Sequence, residues 1–194
     1  MNFQRKKRID SYTAIDQIKK EGTLFVADPE SAEKLGDSRV IVMQNGDKRD
    51  IDDRITIEAV PAYNLVRERE PGVKFHPKGW GNGYVATFGD KRVYIAGDTE
   101  SIPEMASLAP IDVPYILETY YAYYVQSSRV RAPIDVAFIP IDGSYTMSPE
   151  EAVGCIKVIS PRVVIPYHQR QSDPNVVAEL LKGSGIEVRV LPLP

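Results

Sequence analysis

The sequence predicts an α/β fold in a single domain spanning residues 1–194, and three observations lead there. In the C-terminal half, short apolar runs alternate with capped amphipathic segments, the pattern of strand–helix units. In the middle, two apolar runs are joined by Gly89-Asp90, a tight-hairpin signal. The apolar fraction of 43% and the charged fraction of 26% are those of a globular chain long enough to bury a core.

The elements follow in order. Thr13 to Lys20 places Ile15 and Ile18 on one face of a short helix, which Glu21-Gly22 stops. Thr23–Ala27 is a short apolar strand. Asp28-Pro29 starts a helix that runs to Leu35, with Gly36 as its stop. Arg39–Met43 is a strand, and Asn45-Gly46-Asp47 a turn. Ile55 to Ala62 alternates as a half-exposed strand does. Gly83–Phe88 and Lys91–Gly97 form the hairpin, and Asp135–Pro140 is the next strand. Ser148-Pro149-Glu150-Glu151 is a helix start, with a capping Ser, Pro at the first position and acids in the first turn. Arg162–Tyr167 is a strand. Asp173-Pro174 opens the last helix, Gly183 closes it, and Glu187–Leu191 is the last strand.

One segment reads as an insertion, at about 110–132. Ala109-Pro110-Ile111-Asp112-Val113 recurs as Ala132-Pro133-Ile134-Asp135-Val136, an offset of 23 residues. Between the copies lie five of the chain's 11 Tyr: Tyr115, Tyr120, Tyr121, Tyr123 and Tyr124. Tyr gives rigid contact area with a polar tip, which suits an interface, and an ordinary amphipathic element is the alternative.

Composition excludes several function classes. The net charge of -3 supplies no global basic field for nucleic acid. One cysteine, Cys155, excludes an intramolecular disulfide framework and a Cys-based zinc site, and its apolar helical position marks it as core. No apolar run is long enough to span a bilayer. The basic run Arg5-Lys6-Lys7-Arg8 precedes no apolar stretch of the secretory type, so a soluble, cytoplasmic protein is the expectation.

There are only two histidines, His76 and His168. His76 lies in Phe75-His76-Pro77-Lys78-Gly79, just before a strand. Asp98 ends the strand Val93-Tyr94-Ile95-Ala96-Gly97, and His168 ends Val163-Val164-Ile165-Pro166-Tyr167. Functional groups in α/β folds collect outside the carboxyl ends of strands. Two imidazoles and a carboxylate so placed form a candidate mixed N/O site for a divalent metal, Zn or Mn.

Several segments together resemble the metallo-β-lactamase superfamily, in its branch of small metal-dependent hydrolases with lactonase-like and phospholipase-D-like members. They are Ala59-Val60-Pro61-Ala62-Tyr63-Asn64, the His76 segment, Tyr94-Ile95-Ala96-Gly97-Asp98-Thr99-Glu100, Pro103-Glu104-Met105, Tyr145-Thr146-Met147-Ser148-Pro149-Glu150-Glu151-Ala152 and Pro166-Tyr167-His168. The resemblance implies an αβ/βα sandwich. It also implies His76 as a ligand of a first metal, Asp98 as the catalytic, metal-bridging carboxylate and His168 as a ligand of a second. A small ester, lactone or phosphodiester would be the substrate. Glu100 and Tyr145 stand in the matching stretches and are candidates for lining the site.

The chain departs from that family at its main signature, His-x-His-x-Asp-His. Lys6, Arg8, Asp10 and Ser11 stand in the nearest register. Lys and Arg offer no lone pair to a metal, so Asp10 alone could be retained, and at most one ion is expected. Lys6 or Arg8 could instead neutralise Asp98 directly, leaving a metal-free site. The strands that precede the signature are absent too, so the fold is expected to be N-terminally shortened. A homo-oligomer with the Tyr-rich segment in its contact is expected to cover the exposed flank. Two functions therefore stand side by side: a hydrolase with a reduced metal site, and a catalytically inactive relative acting in binding or assembly.

Overall fold

The computed structural model describes residues 15, 19–109 and 132–192. The Thr13–Lys20 helix falls mostly outside the described residues, and the Tyr-rich segment outside them apart from Ala132. Residues up to Met43 and residues from Gln44 onward form two compact units.

In the first unit, β1 (Phe25–Ala27) and β2 (Val40–Val42) pair in parallel, joined through α1 (Pro29–Leu35). The Asp28 carboxylate caps α1 by accepting from the Ser31 N–H at 3.0 Å, and Gly36 ends it in the left-handed conformation. β2 is shorter than the expected Arg39–Met43, although Phe25 N–H and Met43 N–H extend the pairing at its two ends.

The second unit is built on a mixed seven-stranded sheet. Its strands are β3 (Lys48–Asp50), β4 (Ile55–Ala62), β7 (Gly81–Phe88), β8 (Lys91–Ile95), β9 (Val136–Pro140), β10 (Val163–Tyr167) and β11 (Glu187–Val188). A small antiparallel ribbon of β5 (Glu68–Glu70) and β6 (Val73–Lys74) lies between β4 and β7 in the chain. The spatial order is β11-β10-β9-β8-β7-β4-β3. β8, β9, β10 and β11 run parallel, whereas β7 and β8, β4 and β7, and β3 and β4 pair antiparallel. β3, β5 and β6 are short and largely exposed, and they lack the apolar alternation that marks a strand in sequence. The last strand covers only Glu187–Val188, not Glu187–Leu191, because its bonding to β10 ends where the Arg189 N–H donates to the Val164 carbonyl.

This topology explains why the site forms at one end of the sheet. The carboxyl ends of β8, β9 and β10 point the same way. β7 is antiparallel to β8, so its amino end lies at that edge too, as the pairing of Tyr84 with Ile95 shows. β4 pairs Ala62 with Gly81, which brings the exit of β4 to the same place. Loops following β4, β8, β9 and β10, and the loop entering β7, therefore meet.

Helix α2 (Pro149–Ile159) has both halves of a capping box. Ser148 accepts from the Glu151 N–H, and Glu151 accepts from the Ser148 N–H. Its inner face of Ala152, Val153, Cys155, Ile156 and Ile159 joins the core with Val85, Ala137, Ile139 and Val164 of the sheet. Cys155 is buried, and burial pushes its thiol up to about 12, as its reading as a core residue requires. A 3-10 helix over Pro103–Leu108 adds Met105 and Leu108. Helix α3 (Asn175–Leu180) contributes Val177.

β8 stops at Ile95, short of the expected Gly97, because the backbone leaves the extended conformation at Gly97. Gly97 has φ +71, and a Cβ there would lie 2.6 Å from the Asn82 carbonyl oxygen. Gly83, across from it, leaves no more room: its Cβ would meet the Ala96 carbonyl oxygen at 2.8 Å. Two glycines thus let β7 and the turn after β8 approach closely, and that turn delivers Asp98.

Tyr94 is fully buried in the middle of β8, and its hydroxyl has no hydrogen-bond partner among the described residues. A stranded buried hydroxyl costs its desolvation without return. Tyr94→Phe is therefore expected to leave stability unchanged or raise it by roughly 1 kcal/mol in urea denaturation. A loss larger than about 1 kcal/mol would show that the hydroxyl has a partner.

Candidate metal centre

His76, Asp98 and His168 meet at the sheet edge just described. His76 Nε2 lies 3.4 Å from Asp98 Oδ2, and His168 Nδ1 lies 3.4 Å from Asp98 Oδ1. Each imidazole thus addresses a different oxygen of one carboxylate. His168 Nδ1 is also 3.2 Å from Asp142 Oδ2. The side chain of Asp98 is 49% exposed, so the centre opens to solvent. A hydrogen bond that His76 donates when its ring carries both protons is the main cause that holds the Asp98 carboxyl below its ordinary value, opposed by burial and helped by the charge of His168.

Asn64, buried just past the end of β4, orients His76. Its Oδ1 accepts from the His76 backbone N–H at 2.7 Å and from the ring Nδ1–H at 2.9 Å. Its Nδ2 donates to the Tyr145 carbonyl at 2.8 Å, with Glu100 Oε1 at 3.4 Å. The amide cannot turn over without losing these partners, so Oδ1 must face His76. The proton of a neutral His76 then resides on Nδ1, and the Nε2 lone pair faces Asp98. A ligand imidazole held through its other nitrogen is the usual outer support of a metal site.

Asp142 does the corresponding work behind His168. Its side chain is fully buried. Burial works to raise its carboxyl, but the N–H groups of Tyr145, Ser144 and Thr146 outweigh that and hold it below the ordinary value. The strand of Asp98 is tied to these loops as well. Thr99 Oγ1 accepts from the Tyr63 N–H, the Glu100 N–H donates to the Tyr63 carbonyl, and the Tyr167 hydroxyl donates to the Gly97 carbonyl at 3.0 Å.

The other expected site residues fall as follows. Glu100 is 4% exposed and turns beneath the loop after β4. It accepts from the N–H groups of Leu65, Val66 and Arg67 and from the Arg67 guanidinium. Tyr145 is beside the centre: its carbonyl holds Asn64, its ring packs edge-on against Phe75, and Arg170 lies over the ring at 4.6 Å. Lys6, Arg8 and Asp10 lie outside the described residues. The sequence reading did not assign roles to Asn64, Asp142, Arg67 or Arg170. Asp142 carried a signal, since it follows the apolar run of β9 as His168 follows that of β10.

The donor set can be tested against a divalent ion. Two N/O ligands of a tetrahedral ion at about 2.0–2.2 Å stand about 3.3 Å apart. The His76–Asp98 and His168–Asp98 separations both match that spacing, and both imidazoles are braced from behind. No three His, Cys, Asp or Glu side chains among the described residues converge on one point. The residues therefore suit a divalent cation in their chemistry and pair spacing, through two protein donors at a time.

Glu100 is the anchor whose loss should spread furthest. Burial works to raise its carboxyl, and the Val66, Arg67 and Leu65 N–H groups with the Arg67 side chain hold it below the ordinary 4.5. A lowered folded value means the stabilisation is complete above 4.5 and is lost as pH falls through the folded value. Glu100→Gln is expected to cost about 1.5–3 kcal/mol at pH 7 and to flatten the fall of stability in acid, both read by denaturation at several pH values. An unchanged acid limb would show that Glu100 does not carry this linkage.

A family model described as a β-lactamase superfamily domain matches residues 118–168. A Parabacteroides distasonis crystal structure, named for a metal-dependent hydrolase, is 36% identical with a TM-score of 0.73, over 94% of this chain and 70% of that one. Igni18, a metallo hydrolase of Ignicoccus hospitalis, is 26% identical with a TM-score of 0.62, over 92% and 69%. A Deinococcus radiodurans protein named UPF0173 metal-dependent hydrolase is 33% identical over 118 residues, 58% of this chain and 43% of that protein. The chain spans about half the length of the curated relatives it matches, 43–60% for four of them. On the likeness of sequence and fold, the chain belongs to the metallo-β-lactamase superfamily.

Proposed function

We propose that the protein is a metal-dependent hydrolase of small ester, lactone or phosphodiester substrates, in which Asp98 holds a single Zn or Mn ion together with His76 or with His168, two protein donors at a time. One observation carries this reading. With the tautomer that Asn64 imposes, the Nε2 lone pair of His76 and the Asp98 carboxylate face each other at 3.4 Å. Two electron-pair donors so placed need a positive charge between them, which a second ring proton supplies in the absence of metal and a divalent cation would supply when bound. The names of the relatives point to metal dependence.

The chemistry a divalent cation supplies when bound is acidification of a water and stabilisation of an oxyanion. The chain's own residues do the rest. Asp98, held unprotonated, is the reactive carboxylate at the mouth of the site. Asn64 fixes the ring of His76, and Asp142 fixes that of His168. Loops at five strand ends hold these groups in place, so little reorganisation is needed during reaction.

A second reading, a catalytically inactive binding or assembly protein, is favoured by the lack of a three-donor convergence among the described residues. Metal analysis by mass spectrometry followed by esterase and phosphodiesterase screens separates the two. The hydrolase reading expects about one Zn or Mn per chain and turnover that Asp98→Asn lowers at least about 100-fold, since even loss of outer support costs 10–100-fold. Metal-free protein without turnover in added Zn or Mn would support the second reading and refute the first.

A further inference from the structure

The chain takes a strained path after His168. His168 and Arg170 have φ of +49° and +47°, and among the described non-glycine residues only Ser160 joins them in the left-handed region. Ser160 is a helix C-cap, an ordinary place for that conformation. The other two cap nothing, and such strain gathers at ligand-binding loops.

This path sets residues 170–172 opposite residues 142–144. Between them lies a cleft of about 570 Å³ lined by Asp142, Ser144, Arg170, Gln171 and Ser172. Gly143 lets the chain turn at its rim with φ +76, and a Cβ there would make only ordinary contact with Ser172 Oγ, at 3.7 Å. Asp142 adds little acceptor capacity to the lining. Its carboxylate is buried, receives the Ser144, Tyr145 and Thr146 N–H groups and the Thr146 hydroxyl, and faces His168. What remains is a guanidinium, two hydroxyls and an amide. The Arg170 guanidinium lies over the Tyr145 ring at 4.6 Å. A hydrogen bond to the Tyr145 side chain, which raises the Arg170 pKa, helps hold it beside the cleft, where its remaining N–H groups can meet an anion. Donors thus come from two separate loops, which suits a tetrahedral oxyanion better than a planar one. The volume exceeds that of bare phosphate and admits a small organic group.

We propose that this cleft binds the phosphoryl group of a small-molecule substrate. Arg170 makes the principal contact, the Ser144 and Ser172 hydroxyls assist, and the rest of the substrate is directed toward His168 and Asp98. This inference rests on the hydrolase reading for the substrate's role, but not for binding itself.

The test is titration of the metal-free full chain with glycerol 3-phosphate, followed by two-dimensional NMR, with glycerol and acetate as controls. Saturable shifts at Ser144 and residues 170–172 are expected. Arg170→Gln should weaken binding at least about tenfold, Arg170→Lys should restore part of it, and acetate should bind at least about tenfold more weakly than the phosphate. The spectrum away from the loop reports whether each variant is folded. Absent saturation, equal binding by Arg170→Gln, or equal binding of acetate would overturn the inference. Phosphate binding without turnover in added Zn or Mn would keep this site and refute the hydrolase reading. Turnover of a neutral ester without phosphate binding would do the reverse.

Discussion

The amide of Asn64 is the contact on which the rest of the centre depends. One side chain accepts twice from His76 and donates to the Tyr145 carbonyl, so it joins the loop entering β7 to the loop after β9. Glu100 stands beneath the same loop and gathers three backbone N–H groups and Arg67. Arg67 in turn bonds Glu151, the residue that closes the capping box of α2. A core helix, a buried ion pair and a ring tautomer are thereby linked through one short segment. Removing one partner of a buried charged pair is costly because the other is left uncompensated, so this segment tolerates the loss of either Arg67 or Glu100 poorly.

The sheet supplies the second constraint. Only because β8, β9 and β10 are parallel do Asp98, Asp142 and His168 emerge side by side. Only because β7 reverses direction does His76 reach them from the opposite side. Gly83 and Gly97 set the closeness of that approach, through two carbonyl oxygens that would collide with any Cβ. The chemistry is thus a consequence of strand direction, and the side chains are spread over more than 90 positions of sequence for that reason.

Much of this was legible in the sequence. The hairpin, the capped helix starts and the three strand-end residues His76, Asp98 and His168 all carry local signals, and the family resemblance tied them into one set. Asp142 obeyed the same strand-end rule, but Pro140 made the strand look finished two residues earlier. Asn64 and Glu100 lie within motifs, yet their roles arise from contacts 12 to 81 residues apart that no local pattern encodes. Glu100 shows the limit most clearly. Its place in a stretch that resembles the family suggests a site-lining role, whereas burial and three backbone N–H groups turn it into the anchor beneath the site.

The central claim is that Asn64 presents a bare Nε2 of His76 to Asp98. Long-range proton–nitrogen NMR of the His76 imidazole in the metal-free full chain, at a pH where the ring is neutral, tests it most directly. The account predicts a proton on Nδ1 and none on Nε2, with that preference relaxed in Asn64→Ala. A neutral ring carrying its proton on Nε2 in the native protein would contradict it.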